Sequence, residues 1–269
     1  MLKLNIQIFF LEFKLEFSAL GSGSGGNAYL IKEGDTIILI DIGFSLREII
    51  KRLEKLSINL NSISAILITH EHWDHIKGLE NFIKNFPKPV FLSQGTLKSL
   101  KFELKTDINI ISGGKDFQIG RINISPFSVP HDASEPMGFS FSNGNKKIGF
   151  ASDLGKVTIL VMEKLKNSNL IAIETNHDEI LLKTGPYPYQ LKSRVKSTIG
   201  HLSNKDALNA IKELISPALK YILPIHLSQT NNKPELVKYY VEEILKVHSV
   251  KNINCIIASQ ENNTPFLEV

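Results

Sequence analysis

ILITHEHWDHIKGL, Ile66 to Leu79, runs from an apolar stretch straight into three histidines and an aspartate packed within six residues. Imidazole nitrogen and carboxylate oxygen are donors that suit zinc, with manganese or iron as alternatives where carboxylates are prominent. His70 and His72 lie two apart on an extended segment, so their side chains point the same way and can share one ion. Asp74 and His75 follow on the turn into a helix that starts near Gly78, displaced enough to serve a second ion beside the first. Chance clustering of surface histidines is the rival explanation, a poor one in a chain of 269 residues with eight histidines in all. Four ligands cannot complete two sites, so others must come from distant sequence.

Working outward, Ile63 to Ile68 reads as a buried strand, which puts the histidine cluster at a strand's carboxyl end, where ligands of α/β sheets gather. Upstream, Phe13, Leu15 and Phe17 alternate with Lys14 and Glu16 as an amphipathic strand. GSGSGGN (Gly21 to Asn27) then turns the chain into the β-branched runs AYLI and TIILIDIG. Ser45 and Glu48 form a capping box for a helix over Leu46 to Leu56. Strands follow at Val90 to Leu92, Ile108 to Ile111, Ile122 to Val129, Gly138 to Ser142, Lys147 to Ala151, Leu170 to Ile173, Tyr221 to Leu223 and Cys255 to Ala258. Helical patterns cover Thr158 to Lys166, Asp206 to Ile215 and Glu235 to Val247, the last opened by Pro234. Two groups of strands, each with its own helices, imply two sheets packed face to face with helices outside; the pattern does not give strand order.

Three polar residues stand where such strands would deliver them to the same rim: His131 after SPFSVP, Asp153 after IGFAS and His226 after YILPI. Each alone is an ordinary loop residue or cap, and only the shared context makes it a ligand candidate.

The composition, 42% hydrophobic and 22% charged, is that of a globular α/β protein, and 1–269 is expected to form one domain. The net charge of +4 suits a polyanionic substrate without requiring one. A single cysteine, Cys255, excludes an intramolecular disulfide and is expected to serve core packing, which makes the cytoplasm the default location. Charges interrupt the apolar N-terminal segment, and no stretch reads as a membrane span.

The chain resembles the metallo-β-lactamase superfamily, with Asp41 of LIDIG, the HxHxDH block, His131, Asp153 and His226 in the family's order. Within it the chain is similar to the YycJ-like bacterial hydrolases, through GSGSGGNAYLI, FSVPHDASEPMGFSF, ASDLG, ETNHD, GHLSN and HLSQTNN. The resemblance implies a four-layer αβ/βα sandwich with two divalent ions, zinc or manganese, at the rim between the sheets. It assigns His70, His72 and His131 to one ion, Asp74, His75 and His226 to the other, and Asp153 as the bridge. Asp41 then orders the metal-binding loop through hydrogen bonds.

Two adjacent ions lower the pKa of a shared water, so the expected nucleophile is a metal-bridging hydroxide oriented by Asp74. The fold does not decide which bond is cut. His201 in GHLSN, paired with Glu174, matches a pair that serves the leaving oxygen or the scissile phosphate in nuclease members; a hydrogen-bonding cap is the structural alternative. KTGPYPYQLKSRVKS interleaves Lys192 and Arg194 with tyrosines, as a nucleic-acid strand end would need and as a solvated basic loop would also show. Asn27 in the glycine-rich turn and His177 in ETNHD complete the expected substrate contacts, though a hairpin turn explains the glycines equally. The YycJ-like resemblance implies a DNA exonuclease. The alternatives are a small-molecule hydrolase (thioesterase or cyclic phosphodiesterase), an RNA-processing nuclease, and a non-catalytic metal-binding module.

Overall fold

The computed structural model describes residues 14–249 and 252–269. The reading of Phe13 as a strand residue, like that of the apolar N-terminal segment before it, lies outside them. The first sheet collects β1 (Leu15–Gly21), β2 (Ala28–Glu33), β3 (Thr36–Ile40), β4 (Ala65–Leu67), β5 (Val90–Ser93) and β6 (Ile108–Ile111). The second collects β7 (Phe117–Ile119), β8 (Ile122–Ser128), β9 (Met137–Ser142), β10 (Lys147–Ala151), β11 (Leu170–Glu174), β12 (Tyr221–Ile225) and β13 (Asn254–Cys255). A last strand, β14 (Leu267–Glu268), returns to the first sheet beside β1, so each sheet has seven strands among the described residues.

Both sheets obey one plan. β1 to β3 form an antiparallel meander and β3 to β6 run parallel; likewise β7 to β10 are antiparallel and β10 to β13 parallel. Parallel neighbours need crossover connections, and helices supply them. In the first half these are α1 (Leu46–Lys55), α2 (Trp73–Ile76), α3 (Leu79–Asn85) and α4 (Gln94–Ser99). In the second they are α5 (Ile159–Leu165), α6 (Glu179–Thr184), α7 (Tyr189–Val195), α8 (Asn204–Leu214) and α9 (Pro234–Val247).

The central strands read as near-continuous apolar runs because each lies between two layers, whereas β6, at an edge of its sheet, is mostly exposed. Ile38 and Ile40 of β3 and Leu170 and Ala172 of β11 point into a core shared by the two sheets. Their neighbours Ile37 and Leu39 face outward onto a core with Ile49 and Leu53 of α1 and Phe82 of α3. Ile171 and Ile173 face Val161 of α5 and Ile211 of α8 in the same way. Helix, sheet, sheet and helix therefore stack as the four-layer αβ/βα sandwich.

Three details differ from expectation. The Ser45 hydroxyl accepts from Glu48 N–H at 3.3 Å, but the Glu48 carboxylate turns to Arg52 at 2.8 Å, leaving half a capping box. The strand read over Cys255 to Ala258 is only Asn254–Cys255: beyond it Ile256 and Ala258 N–H still donate to Ile222 and Pro224 C=O, but Pro224 has no N–H to return a bond. The segment KTGPYPYQLKSRVKS, read as strand-end contact or solvated basic loop, folds in part into α7, so Lys192 and Arg194 are helical.

The backbone marks the functional rim. Six non-glycine residues have positive φ among those described, and Ser57, Asn167 and Ser249 sit one residue past the caps of α1, α5 and α9, where left-handed residues commonly end helices. The other three are Asp41 (58°) and His226 (55°), directly after β3 and β12, and Asp153 (55°), two residues past the end of β10. A left-handed residue costs about 1–2 kcal/mol outside glycine, and here it turns three polar side chains back over the sheet ends.

Candidate metal centre

The site is assembled from second contacts inward. Asp41 at the end of β3 accepts from Thr69 N–H (2.8 Å) with one oxygen and from Thr69 Oγ1 (2.8 Å) and His75 Nδ1 (2.7 Å) with the other. Since the Thr69 hydroxyl donates to Asp41, its oxygen accepts from His70 Nδ1 at 3.0 Å. His131 Nδ1 donates to Gly200 C=O at 2.9 Å and His226 Nδ1 to Glu174 Oε1 at 3.0 Å. In each of these four rings an outer acceptor holds the Nδ1 proton, which leaves the Nε2 lone pair to face inward. His70 Nε2 is the clearest case, a buried nitrogen with no hydrogen-bond partner.

These inward atoms converge in two sets. His70, His72 and His131 offer nitrogens within 4.8 Å of one another, as do the donor atoms of Asp74, His75 and His226; His70, His75 and Asp153 form an equally tight set that joins them. Asp153 faces both, with Oδ2 at 3.2 Å from His75 Nε2 and Oδ1 at 3.6 Å from His131 Nε2 and from His226 Nε2. The rings of His70 and His75 stand 4.2 Å apart between centroids, so the two sets adjoin. A further set, Asp153, Glu174, His201 and His226, is equally close, but its Glu174 oxygens are already taken by N–H donors.

Charge agrees with geometry. Asp41, Asp153 and Glu174 are buried, with Asp74 half-buried beside them. Four carboxylates around neutral imidazoles balance two divalent cations. Without ions the histidines do that work: although burial alone would raise it, His226 and His75 hold the Asp153 carboxyl well below the usual range. His70, deprived of water by burial and repelled by His75, is pushed well below the ordinary histidine value, whereas against the effect of burial the Asp153 carboxylate raises His75 and His226 well above it.

Beyond the two sets, Glu174 ends β11 fully buried. Its Oε1 accepts from His201 Nδ1 (2.7 Å) and His226 Nδ1 (3.0 Å), and its Oε2 from Leu154 N–H (2.5 Å) and Leu202 N–H (3.2 Å). Burial raises its carboxyl, but His201 and His226 bring it down to about 2. With every lone pair engaged, Glu174 cannot touch a substrate; expected as a catalytic group, it is a positioning residue. His201 is different. Its ring lies 5.2 Å from His226, nearly parallel, and 5.1 Å from His131, and its side chain keeps 20% exposure. Ser203, not His201, caps α8 through its hydroxyl, so the capping role for His201 does not hold.

Two expected substrate contacts, Asn27 and Lys192, are otherwise engaged, and a third, His177, is buried. Asn27 is fully buried: its amide nitrogen donates to Gly23 C=O (3.0 Å) and to Asp74 Oδ2 (3.3 Å), and its oxygen accepts from Gly23 N–H (3.0 Å) and Tyr29 Oη (3.1 Å). The glycine-rich turn thus braces Asp74 from behind. His177 is 2% exposed, lowered to about 4 by burial, and offers the surface nothing. The Lys192 ammonium donates to Lys183 C=O at 2.8 Å, closing the end of α6. Arg194 remains at the mouth, its Nε donating to Asp132 Oδ2 at 2.5 Å.

Sequence reading missed Thr69, Asp132 and Ser22. Ser22 accepts from His226 N–H at 2.7 Å, a contact across 204 residues that no local pattern signals, whereas Asp132 directly follows a ligand candidate. Gly43 of LIDIG is obligatory, since a Cβ there would lie 1.8 Å from Asp74 C=O. Asn27→Ala is expected to weaken metal affinity by about 10–100-fold, the usual effect of removing a support for a ligand, with the fold retained. Isothermal titration with zinc checks it, and an unchanged affinity would show that Asn27 does not orient Asp74.

The β-lactamase superfamily domain matches residues 36–227, which contain every donor named above. Exodeoxyribonuclease YycJ of Bacillus anthracis is 35% identical over 236 residues, 86% of this chain and 89% of its own length. Exodeoxyribonuclease WalJ of Streptococcus pneumoniae is 33% identical over 231 residues, covering 84% and 86%. Among solved structures, the metallo-β-lactamase fold protein YhfI of Bacillus subtilis superposes with a TM-score of 0.71 at 15% identity, over 93% of this chain and 99% of that one. Fold, donor set and relatives agree: the chain is a metal-dependent hydrolase of the metallo-β-lactamase superfamily and belongs to the family of YycJ and WalJ.

Proposed function

We propose that the protein is a dinuclear metal-dependent exodeoxyribonuclease. The observation that carries this reading is the His201–Glu174 pair beside the two donor sets, in a chain whose relatives are exodeoxyribonucleases over most of its length. His70, His72 and His131 would hold one divalent ion, Asp74, His75 and His226 the second, and Asp153 would touch both. Zinc suits the imidazole-rich first set, and manganese is the alternative where carboxylates enter. When bound, such a pair supplies Lewis acidity towards a phosphoryl oxygen and a water acidic enough to attack near neutral pH.

The chain's own residues do the rest. Asp74 aligns the attacking water through the oxygen that Asn27 does not hold. Glu174 fixes His201 with Nδ1–H inward, and despite burial it raises His201 above the ordinary histidine value, which stabilises a doubly protonated ring. Nε2–H of that ring then delivers a proton to the departing 3′- or 5′-oxygen of the strand. Arg194 binds a neighbouring phosphate, held in place by Asp132. Among the described residues no helix is long and apolar enough to cross a membrane.

The test is metal-loaded protein incubated with end-labelled duplex DNA, single-stranded DNA and RNA. Progressive shortening of DNA, abolished by a chelator, is expected. If no strand is shortened while a thioester or bis-phosphodiester reporter turns over, the nuclease reading is lost.

A further inference from the structure

One ring of the candidate centre lacks the outer partner that its neighbours have. His70, His75, His131 and His226 each rest an Nδ1 proton on an oxygen acceptor and turn Nε2 inward. His72 is mounted the other way round. Its Nδ1 lies 3.1 Å from His131 Nε2, so Nδ1 is the inward atom and Nε2 faces away. An ion shared by these two nitrogens needs both of them bare, which places the His72 proton on Nε2. Metal-bound imidazoles almost always rest that outer proton on a carboxylate, a carbonyl or a water.

The acceptor at hand is Asp132. Its Oδ1 is buried without a hydrogen-bond partner and lies 4.0 Å from His72 Nε2. Its Oδ2 accepts from Arg194 Nε at 2.5 Å, which fixes the carboxylate against α7. Oδ1 also stands 3.5 Å from His131 Nε2, but that nitrogen has no proton to give, because the His131 proton is on Nδ1 and goes to Gly200 C=O. A carboxylate oxygen only accepts, so of the two nitrogens beside it His72 Nε2 is the one it can bond. A movement of about 1 Å brings the pair to hydrogen-bond length. Neither side chain is locked in a core, with exposures of 28% for His72 and 22% for Asp132.

We propose that Asp132 is a positioning residue with two duties: Oδ1 receives Nε2–H of His72 and so aims Nδ1 at the first ion, while Oδ2 holds Arg194 for a substrate phosphate. One carboxylate then ties the metal set to the phosphate-binding cation. The proposal rests on the dinuclear nuclease reading and deepens it. Were Asp132 only an anchor for Arg194, its second oxygen would have no task.

The experiment compares wild type, Asp132→Ala and Arg194→Ala, zinc-loaded and with isotope-labelled histidine, by long-range proton–nitrogen correlation, which separates the two tautomers of each ring. In the wild type His72 should carry Nε2–H, in slow exchange with water. Asp132→Ala should pass that proton into rapid exchange and weaken the binding of one zinc equivalent by about 10–100-fold, the usual effect of losing such a support, and it should also raise KM for DNA. Arg194→Ala should raise KM alone, with the His72 signal and both zinc affinities as in the wild type. A His72 signal and zinc affinities that are unmoved by Asp132→Ala overturn the bond to His72 and leave the nuclease reading intact. DNA left uncut by the zinc-loaded wild type, with the signal and affinity changes present, overturns the nuclease reading and upholds the bond.

Discussion

Asp74→Ala is expected to reduce turnover by about a thousandfold or more while the metal-free protein stays folded, since metal ions contribute several kcal/mol of transition-state stabilisation. The carboxylate lies at the meeting point of the second donor set, its Oδ2 3.2 Å from His226 Nε2 and 3.4 Å from His75 Nε2. On the proposed assignment, removing it leaves two imidazoles and the shared Asp153 carboxylate, one donor fewer to hold the second ion. The fold tolerates the loss because the Asp74 side chain makes polar contacts only and is 26% exposed, so no cavity opens in a core. Metal content per chain, thermal unfolding of the apo-protein and cleavage of labelled DNA are the three measurements. Asp153→Ala would be a poorer probe. Asp153 is buried, bonded to the Ser152 hydroxyl at 2.6 Å and left-handed, so its loss confounds folding with chemistry. Wild-type turnover in Asp74→Ala, with the apo-protein folded, would remove Asp74 from the reaction.

Much of the layered fold was legible because strands buried on both faces read as unbroken apolar runs, and because the residue after such a run sits at the rim. That logic alone placed His131, Asp153 and His226 next to the HEHWDH block, although they are 56 to 156 residues away from its members along the chain, and the structure brings their donor atoms together. What it could not reach was direction. Asn27 follows a glycine-rich turn and reads as an exposed loop residue, but its partners Asp74 and His75 lie 47 and 48 residues on. Only tertiary structure turns its amide inward. α6 and α7 escaped notice for another reason: each buries a single residue, Leu182 and Val195, and so shows no apolar face, and α6 is held by the Asp178 carboxylate accepting from Ile180 and Leu181 N–H, both at 2.9 Å. The repeated plan of the two sheets left no trace in the sequence, since it is a repeat of pairing directions and not of side chains.

The division of labour between Glu174 and His201 leads to the sharpest chemical test. His201→Ala is expected to slow DNA cleavage by roughly a hundred- to ten-thousandfold, the range of general acid catalysis, with both ions retained. A proton donor matters only when the leaving oxygen is basic. A nucleotide ester with a p-nitrophenolate leaving group departs without one, so His201→Ala should hydrolyse that substrate at close to the wild-type rate. Glu174→Gln should imitate this pattern more weakly, because its single amide oxygen must serve both His201 and His226, and its NH2 group faces the Leu154 and Leu202 N–H donors. Glu174→Ala should unfold more readily, by about 3–5 kcal/mol, as it strands a buried charged network. If His201→Ala loses natural and activated substrates equally, the ring binds or positions the phosphate and does not donate the proton. If it loses neither, His201 has no part in the chemistry, and the Glu174 carboxylate serves only to aim His226.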